Sequence, residues 1–541
     1  MKKYLMTLAA VLCCAMMSPM FTSCVSEDNS VPTPEPDPSQ LADVTIMYYG
    51  HGGGNLDRCL IHNLRQMYSA EASSYKNVKI AVEYKFSRKE DLADFFTDFR
   101  KEELKEELAM WGEDADSELN DIHYLLWMAP EGNSTFRFVL DPEKTLKTQA
   151  EGHYLPDENA DITNPDSLTN FINWAAKACP AKSYVLVLND HGGGYMPYDD
   201  AYNENASARA TRGVIYDKGN AGHHFSAPSL AHAIKAADIR PNVIYFDACL
   251  MNNIEYVFEL KDVTDYYVAS TYTEIAGCPY ATMIECLSGA PDNLKYAFEK
   301  YIEYYVKHFD PVKEEDVFYY DMTLTETAGL DRLGKAMREF TDRLCDTYKN
   351  GTAEQKQKID DVTKKAVKIT DDVSLYDVGR YMEGMRKALP EVFDDAFWTE
   401  LKSAFNSCVV GQYTSKYLLN HDYQVDYSVL LAVKGAYQLL WWDKNNETSN
   451  RVLTHIRNFN PDGSYTTYAV ENGEFKDGVT PDYTLKFYND GQWGHTLESV
   501  YGALAFDKAT GWSRWLLLNE QQPSFWCNNE FWTPLPDISE E

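Results

Sequence analysis

Tyr184-Val-Leu-Val-Leu188 runs into Asn189-Asp190-His191-Gly192-Gly193-Gly194, and Asn242-Val-Ile-Tyr-Phe246 runs into Asp247-Ala248-Cys249-Leu250. Short apolar runs bounded by turn residues read as buried strands of a parallel sheet rather than as helices. Each run stops at a reactive side chain, and open α/β sheets place ligands at the carboxyl ends of their strands. A thiol needs a base to become a nucleophile, and an imidazole at a neighbouring strand end can serve. The two stretches therefore predict an α/β fold with a histidine–cysteine dyad, His191 as base and Cys249 as nucleophile.

The same rhythm extends outward from these strands. Val44–Tyr49, Val78–Tyr84 and His123–Met128 read as strands, with an amphipathic stretch after the first and a charged helical stretch after the second. Asn164-Pro165 reads as a cap with proline at the first helical position, followed by a face of Leu168, Phe171, Ile172, Ala175 and Ala176. Helices are expected near Ser229–Ala237 and over 252–261, and a further strand at Tyr266–Ser270. This alternation argues for a mostly parallel sheet flanked by helices over 44–290. Beyond 290 an α+β region is expected through 541, either a separate domain or an extension of the sheet. Its strands are expected at Val317–Leu324, Tyr427–Val433 and Tyr501–Phe506.

The local chemistry follows from position. A cysteine between a strand and the N-terminus of the next helix has its thiol pKa lowered by the helix dipole, and a nearby imidazole lowers it further. Three glycines after His191 allow a tight turn in which backbone N–H groups approach a substrate carbonyl. The amides of Gly192 and Cys249 are the expected oxyanion hole. The reaction so predicted is thiolate attack on a peptide carbonyl, protonation of the leaving amine by His191, and hydrolysis of the thioester.

The 541 residues carry 83 acidic and 50 basic side chains, a formal charge of −33. Such a surface repels phosphate backbones, which sets nucleic acid aside as a partner. Lys2 and Lys3 precede an apolar run over Tyr4–Met17 that is too short to span a bilayer, as in a signal peptide. That segment ends at Phe21-Thr22-Ser23-Cys24, which resembles the lipobox of bacterial lipoproteins. The resemblance implies a signal peptide over 1–23, lipidation at Cys24, and export as an outer-membrane lipoprotein; Glu27-Asp28 hints at surface exposure. Residues 25–43, proline-rich and acidic, suit a tether. Eight further cysteines beyond Cys13, Cys14 and Cys24 are scattered, with no zinc-type spacing, and read mainly as small buried hydrophobes.

The order apolar strand, His-Gly, apolar strand, Asp-Ala-Cys resembles the caspase-like cysteine peptidases. Among them, Asp190-His191-Gly192-Gly193-Gly194 with Asp247-Ala248-Cys249-Leu250-Met251 is similar to the clostripain family. The resemblance covers about 44–290. It implies a caspase-like fold, His191 and Cys249 as the dyad, and cleavage of protein or peptide substrates after Arg or Lys. It places Asp247 near the floor of the S1 pocket, although Asp247 could instead hold backbone amides at the strand end. Gly277-Cys278-Pro279-Tyr280 departs from the Gly-Trp segment usual at that point, which leaves the S1 wall and the choice between Arg and Lys open. The family also implies self-cleavage between the dyad residues, with Arg209, Arg212 and Lys218 as candidate sites, against an uncut surface loop. Calcium is the one ion the resemblance brings with it, although Asp199, Asp200 and Glu204 lack EF-hand spacing. A monomer is expected.

Other readings compete. Tyr49-Gly50-His51-Gly52-Gly53-Gly54 is a second His-Gly after an apolar strand, but it belongs to the first strand. His223-His224 are adjacent and point apart, which does not suit a metal. A serine esterase would need a Gly-x-Ser-x-Gly elbow, and the chain has none. From another class, a lipid-anchored binding protein with a vestigial site stays open.

Overall fold

The computed structural model describes residues 41–52, 56–86, 135–150, 153–155, 161–195, 213–217, 223–272, 274, 278–309, 321–365, 376–415, 430–431, 455–459, 465–471, 474–475, 486–489, 492–496 and 504–519. Its strands begin with β1 (Ala42–His51), β2 (Val78–Lys85), β3 (Thr135–Val139) and β4 (Ala181–Asn189). A small hairpin of β5 (Val214–Asp217) and β6 (His223–Phe225) follows. Next come β7 (Val243–Asp247), β8 (Tyr266–Ala269), β9 (Asp321–Glu326), β10 (Tyr376–Asp377) and β11 (Val409–Thr414).

Eight of these form one sheet in the order β11-β9-β8-β7-β4-β1-β2-β3. The five central strands, β8 to β2, run parallel, whereas β3, β9 and β11 join antiparallel at the edges. The mostly parallel, helix-flanked sheet expected from the sequence is present.

Both faces of the sheet are buried, which explains the continuous apolar strands. Along β4, Leu186 and Leu188 enter one core while Val185 and Val187 enter the other, and along β7 Ile244 and Phe246 oppose Val243 and Tyr245. The second core is closed by α1 (Asp57–Gln66), α5 (Tyr280–Gly289) and α6 (Leu294–Phe309). The first is closed by α2 (Pro165–Ala178), α3 (Ala227–Lys235), α4 (Ile254–Glu259), α7 (Leu330–Asn350) and later helices. The Asn164 side chain accepts from Asp166 N–H with Pro165 at the first helical position, as the capping pattern leads one to expect.

The later part of the chain departs from expectation at one place. The region after 290 adds β9 and β11 to the main sheet and α7 to its core. Ala505–Thr510 is a helix where the apolar pattern suggested a strand. Ala505 N–H is received by the carboxylate of Glu259, and Gly511 ends the helix at φ +64°, a cap that tertiary contact supplies and periodicity does not show. The strand expected at His123–Met128 lies outside the described residues, and β3 was not anticipated.

Candidate functional site

β4 and β7 pair in parallel with Asn189 opposite Asp247, so His191 and Cys249 each stand two residues beyond matched strand ends. The loops that carry them touch. A Cβ placed on Gly192 would lie 2.1 Å from the Cys249 carbonyl oxygen and 3.0 Å from its amide nitrogen. Only glycine permits this approach, and it brings the two expected oxyanion-hole residues together. The hairpin β5–β6 braces the histidine loop: Ile215 N–H donates to His191 C=O at 3.2 Å and Gly193 N–H to Gly213 C=O at 2.9 Å. Asp190, fully buried, accepts from the backbone amides of His191 and Tyr216, each at 2.6 Å.

Backbone strain collects at this place. Among the described residues the only non-glycine positions with positive φ are Ile215 at +58° and Leu250 at +62°. One braces His191 and the other follows Cys249. A β-branched residue in that region is an outlier, and each such residue costs about 1–3 kcal/mol, so the fold holds both loops against strain.

The Cys249 thiol is partly buried and meets the backbone of Glu274, whose N–H donates to Sγ at 3.3 Å and whose C=O lies 3.7 Å from it. Burial and the Glu274 carboxylate push the thiol up to about 12. This corrects the expectation of a helix-lowered pKa. The following helix starts only at Ile254, after a turn through Leu250 and a cap at Asn253, so its dipole acts too far from the sulfur. Burial, and then the charge of His51, hold His191 below its ordinary 6.5. Both shifts favour the uncharged forms, thiol at Cys249 and imidazole at His191.

Below Cys249 lies an acid pair. Asp247 Oδ2 accepts from Asn63 at 2.8 Å, from Tyr280 at 2.7 Å and from Asn189, while Cys278 Sγ donates to Oδ1 at 3.0 Å. All of these donors are side chains; the backbone amides are held by Asp190 instead. Both oxygens of Glu274 are buried, and the Asp247 carboxyl is their side-chain neighbour. Burial, and then the neighbouring Asp247, push the Glu274 carboxyl well up, and burial also raises Asp247. Asp247, Glu274 and Cys278 bring one ligand atom each within 4.8 Å of one another. Two carboxyls and a thiol do not suit calcium, which takes six to eight oxygens, and Asp199, Asp200 and Glu204 lie outside the described residues.

Sequence reasoning missed Glu274, Asn63, Asn189 and Tyr280. One signal was available: Asn63 interrupts the buried face of Leu60, Ile61 and Leu64 on α1, and a polar residue on such a face needs a partner. A further supporting group, Asp321 on β9, receives Ser270 Oγ and the amides of Thr271 and Tyr272. That loop in turn receives Leu250 N–H on Tyr272 C=O and Asn252 N–H on Ser270 C=O.

His51 ends β1 as a buried residue, with Nδ1 2.8 Å from Lys85 C=O and Nε2 3.7 Å from Asp217. Lys85 Nζ and Asp217 form a buried pair at 2.6 Å. His223 Nδ1 meets Asp161 at 2.9 Å. The seven described cysteines are free thiols, four of them buried. Cys24, Arg209, Arg212 and Lys218 lie outside the described residues.

Comparison with known proteins gives these relations. The profile of the clostripain family matches residues 135–499. Clostripain of Hathewaya histolytica is 24% identical over 235 residues, 42% of this chain. That match spans only 38% of the relative's length. Among solved structures, a secreted cysteine protease of Bacteroides thetaiotaomicron in complex with an irreversible peptide inhibitor has a TM-score of 0.48 and 14% identity, covering 87% of this chain and 99% of that one. An inactive zymogen protease of Parabacteroides distasonis has a TM-score of 0.45 and 14% identity, covering 87% and 98%.

Proposed function

We propose, from the premise that this chain belongs to the clostripain family, that it is a cysteine endopeptidase cleaving after Arg or Lys. The observation that carries the reading is the seating of Gly192 on the Cys249 backbone above the acid pair of Asp247 and Glu274. Substrate binding displaces water from a site where His191 is neutral and can take the thiol proton. The thiolate adds to the scissile carbonyl, and the oxyanion meets the amides of Gly192 and Cys249. His191 returns the proton to the leaving amine, and water then cleaves the thioester.

Specificity rests on charge. A guanidinium or ammonium entering beside Cys249 meets the buried carboxyl of Glu274 and Asp247 Oδ1. A charge-assisted hydrogen bond of this kind contributes about 1.5–3 kcal/mol. The same cation offsets the negative charge that holds the thiol up, so a basic P1 residue both binds and activates.

Around this core we place the finer proposals. The protein is exported and lipid-anchored through Cys24 at the outer membrane, with residues 24–43 as tether, and works as a monomer. It is self-processed at Arg209, Arg212 or Lys218, between the dyad residues. The test of the activity is hydrolysis of fluorogenic peptides ending in Arg, Lys, Asp or Ala. Cleavage after Arg or Lys that is lost in Cys249→Ala supports the reading. No cleavage of any peptide, even after the 204–218 segment is nicked by an added protease, would sink it.

A further inference from the structure

The acid pair has a third member that a basic P1 group does not use. Cys278 is fully buried beside both carboxyls, and its thiol lies 2.9 Å from Tyr245 Oη and 3.0 Å from Asp247 Oδ1. It belongs to the Gly277-Cys278-Pro279-Tyr280 segment, which the peptidase reading leaves unexplained. We propose that Asp247, Glu274 and Cys278 form a binding site for a borderline-soft divalent cation, zinc in particular, at the position the substrate's basic P1 group would occupy.

The donor set selects the ion. A thiolate with two carboxylates suits zinc, whose sites combine sulfur and oxygen ligands, and disfavours calcium and magnesium, which take oxygen alone. Ligands of one tetrahedral zinc lie roughly 3.2–3.8 Å apart, given Zn–S near 2.3 Å and Zn–O near 2.0–2.2 Å. The three candidate atoms lie within 4.8 Å of one another, and Cys278 Sγ is already 3.0 Å from Asp247 Oδ1. Glu274 is the ligand that closes the gap, its two carboxyl oxygens buried beside Asp247.

The outer partners are in place as well. Asn63, Asn189 and Tyr280 all donate to Asp247 Oδ2, which fixes that carboxylate and leaves Oδ1 turned to Cys278. Such outer hydrogen bonds orient the ligands of metal sites. Tyr245 Oη can donate to the sulfur once its proton has gone. Binding replaces the S–H bond of Cys278 by an S–Zn bond and passes the proton to solvent, so affinity rises with pH. Metal and basic P1 residue exclude each other, a consequence that rests on the S1 reading above, whereas the binding itself does not.

The test uses the Cys249→Ala variant of the whole protein, so that the proposed nucleophile cannot supply the sulfur. Cobalt(II) serves as the spectroscopic probe and zinc as the calorimetric one. The expected result is one tight zinc site and a sulfur-to-cobalt charge-transfer band, the band lost when Cys278→Ser is added. Glu274→Gln, an independent variant, is expected to weaken zinc by more than the ~10–100-fold that loss of an outer partner costs. A cobalt spectrum without the thiolate band, or zinc affinity unchanged in both variants, overturns the site. In the active protein zinc is expected to inhibit competitively with an Arg substrate, reversed by chelator. Binding as predicted with inhibition that does not compete leaves the metal site standing and contradicts the S1 reading instead.

Discussion

Glu274 touches Cys249 twice over: its N–H donates to the sulfur at 3.3 Å, and its buried carboxylate is the charge that, after burial itself, raises the thiol most. In the proposed peptidase reading, the residue that positions the nucleophile also restrains it, and a basic P1 group that neutralises the carboxylate releases the restraint.

Replacing Glu274 by Gln removes the charge and keeps the shape. The thiol pKa is then expected to fall from its value near 12, because one of the two main effects raising it is gone. The midpoint of the pH profile for iodoacetamide alkylation of Cys249 moves down accordingly. Hydrolysis after Arg loses about 1.5–3 kcal/mol of selectivity, roughly 10- to 150-fold in kcat/KM, relative to an Ala substrate. A profile that moves up, or selectivity that stays, counts against the pairing.

Gly192→Ala puts a methyl group 2.1 Å from the Cys249 carbonyl oxygen, so one of the two loops must retreat. A displacement of about 1 Å at a catalytic centre costs on the order of 10²-fold. The expected outcome is a fall of that size in kcat with folding retained, read by peptide hydrolysis and circular dichroism. Wild-type kcat would show that the loops do not meet as described.

The Lys85–Asp217 pair is buried and lies between the sheet and the hairpin that braces His191. Asp217→Asn removes the carboxylate from a buried ammonium and is expected to cost up to about 3–5 kcal/mol in denaturant unfolding. Lys85→Met combined with Asp217→Leu removes both charges and is expected to recover most of it.

His191 is held below its ordinary 6.5 by burial and by His51. It must be neutral to act as base, so the acid limb of kcat/KM is expected below pH 6.5. His51→Gln removes the second cause and moves that limb upward. The sign for stability is the same: a histidine kept neutral by the fold contributes fully above its unfolded pKa. That contribution is lost as pH falls from there toward the folded value.

Much of this was legible in the sequence because it lies on one strand repeat. Two apolar runs ending in His-Gly and Asp-Ala-Cys marked the strands, and the parallel pairing of Asn189 with Asp247 then places His191 and Cys249 level. What stayed hidden depends on distant partners. Glu274 stands in a loop after β8 with no pattern around it, and its meaning comes only from facing Cys249 and Asp247. β3 joins antiparallel at an edge, and its place is set by pairing with β2, distant in sequence. Ala505–Thr510 reads as a strand by composition and becomes a helix because Glu259 and Gly511 cap it. The pKa of Cys249 went the other way from expectation because a turn, rather than the helix, follows it.

Whether His191 and Cys249 work as a dyad is decided by labelling with a peptidyl acyloxymethyl ketone carrying Arg at P1, followed by mass-spectrometric mapping. A single adduct at Cys249 is expected among the free thiols, lost in His191→Ala and outcompeted by an Arg substrate. An unlabelled Cys249, or an adduct on another cysteine that His191→Ala does not change, would contradict the dyad.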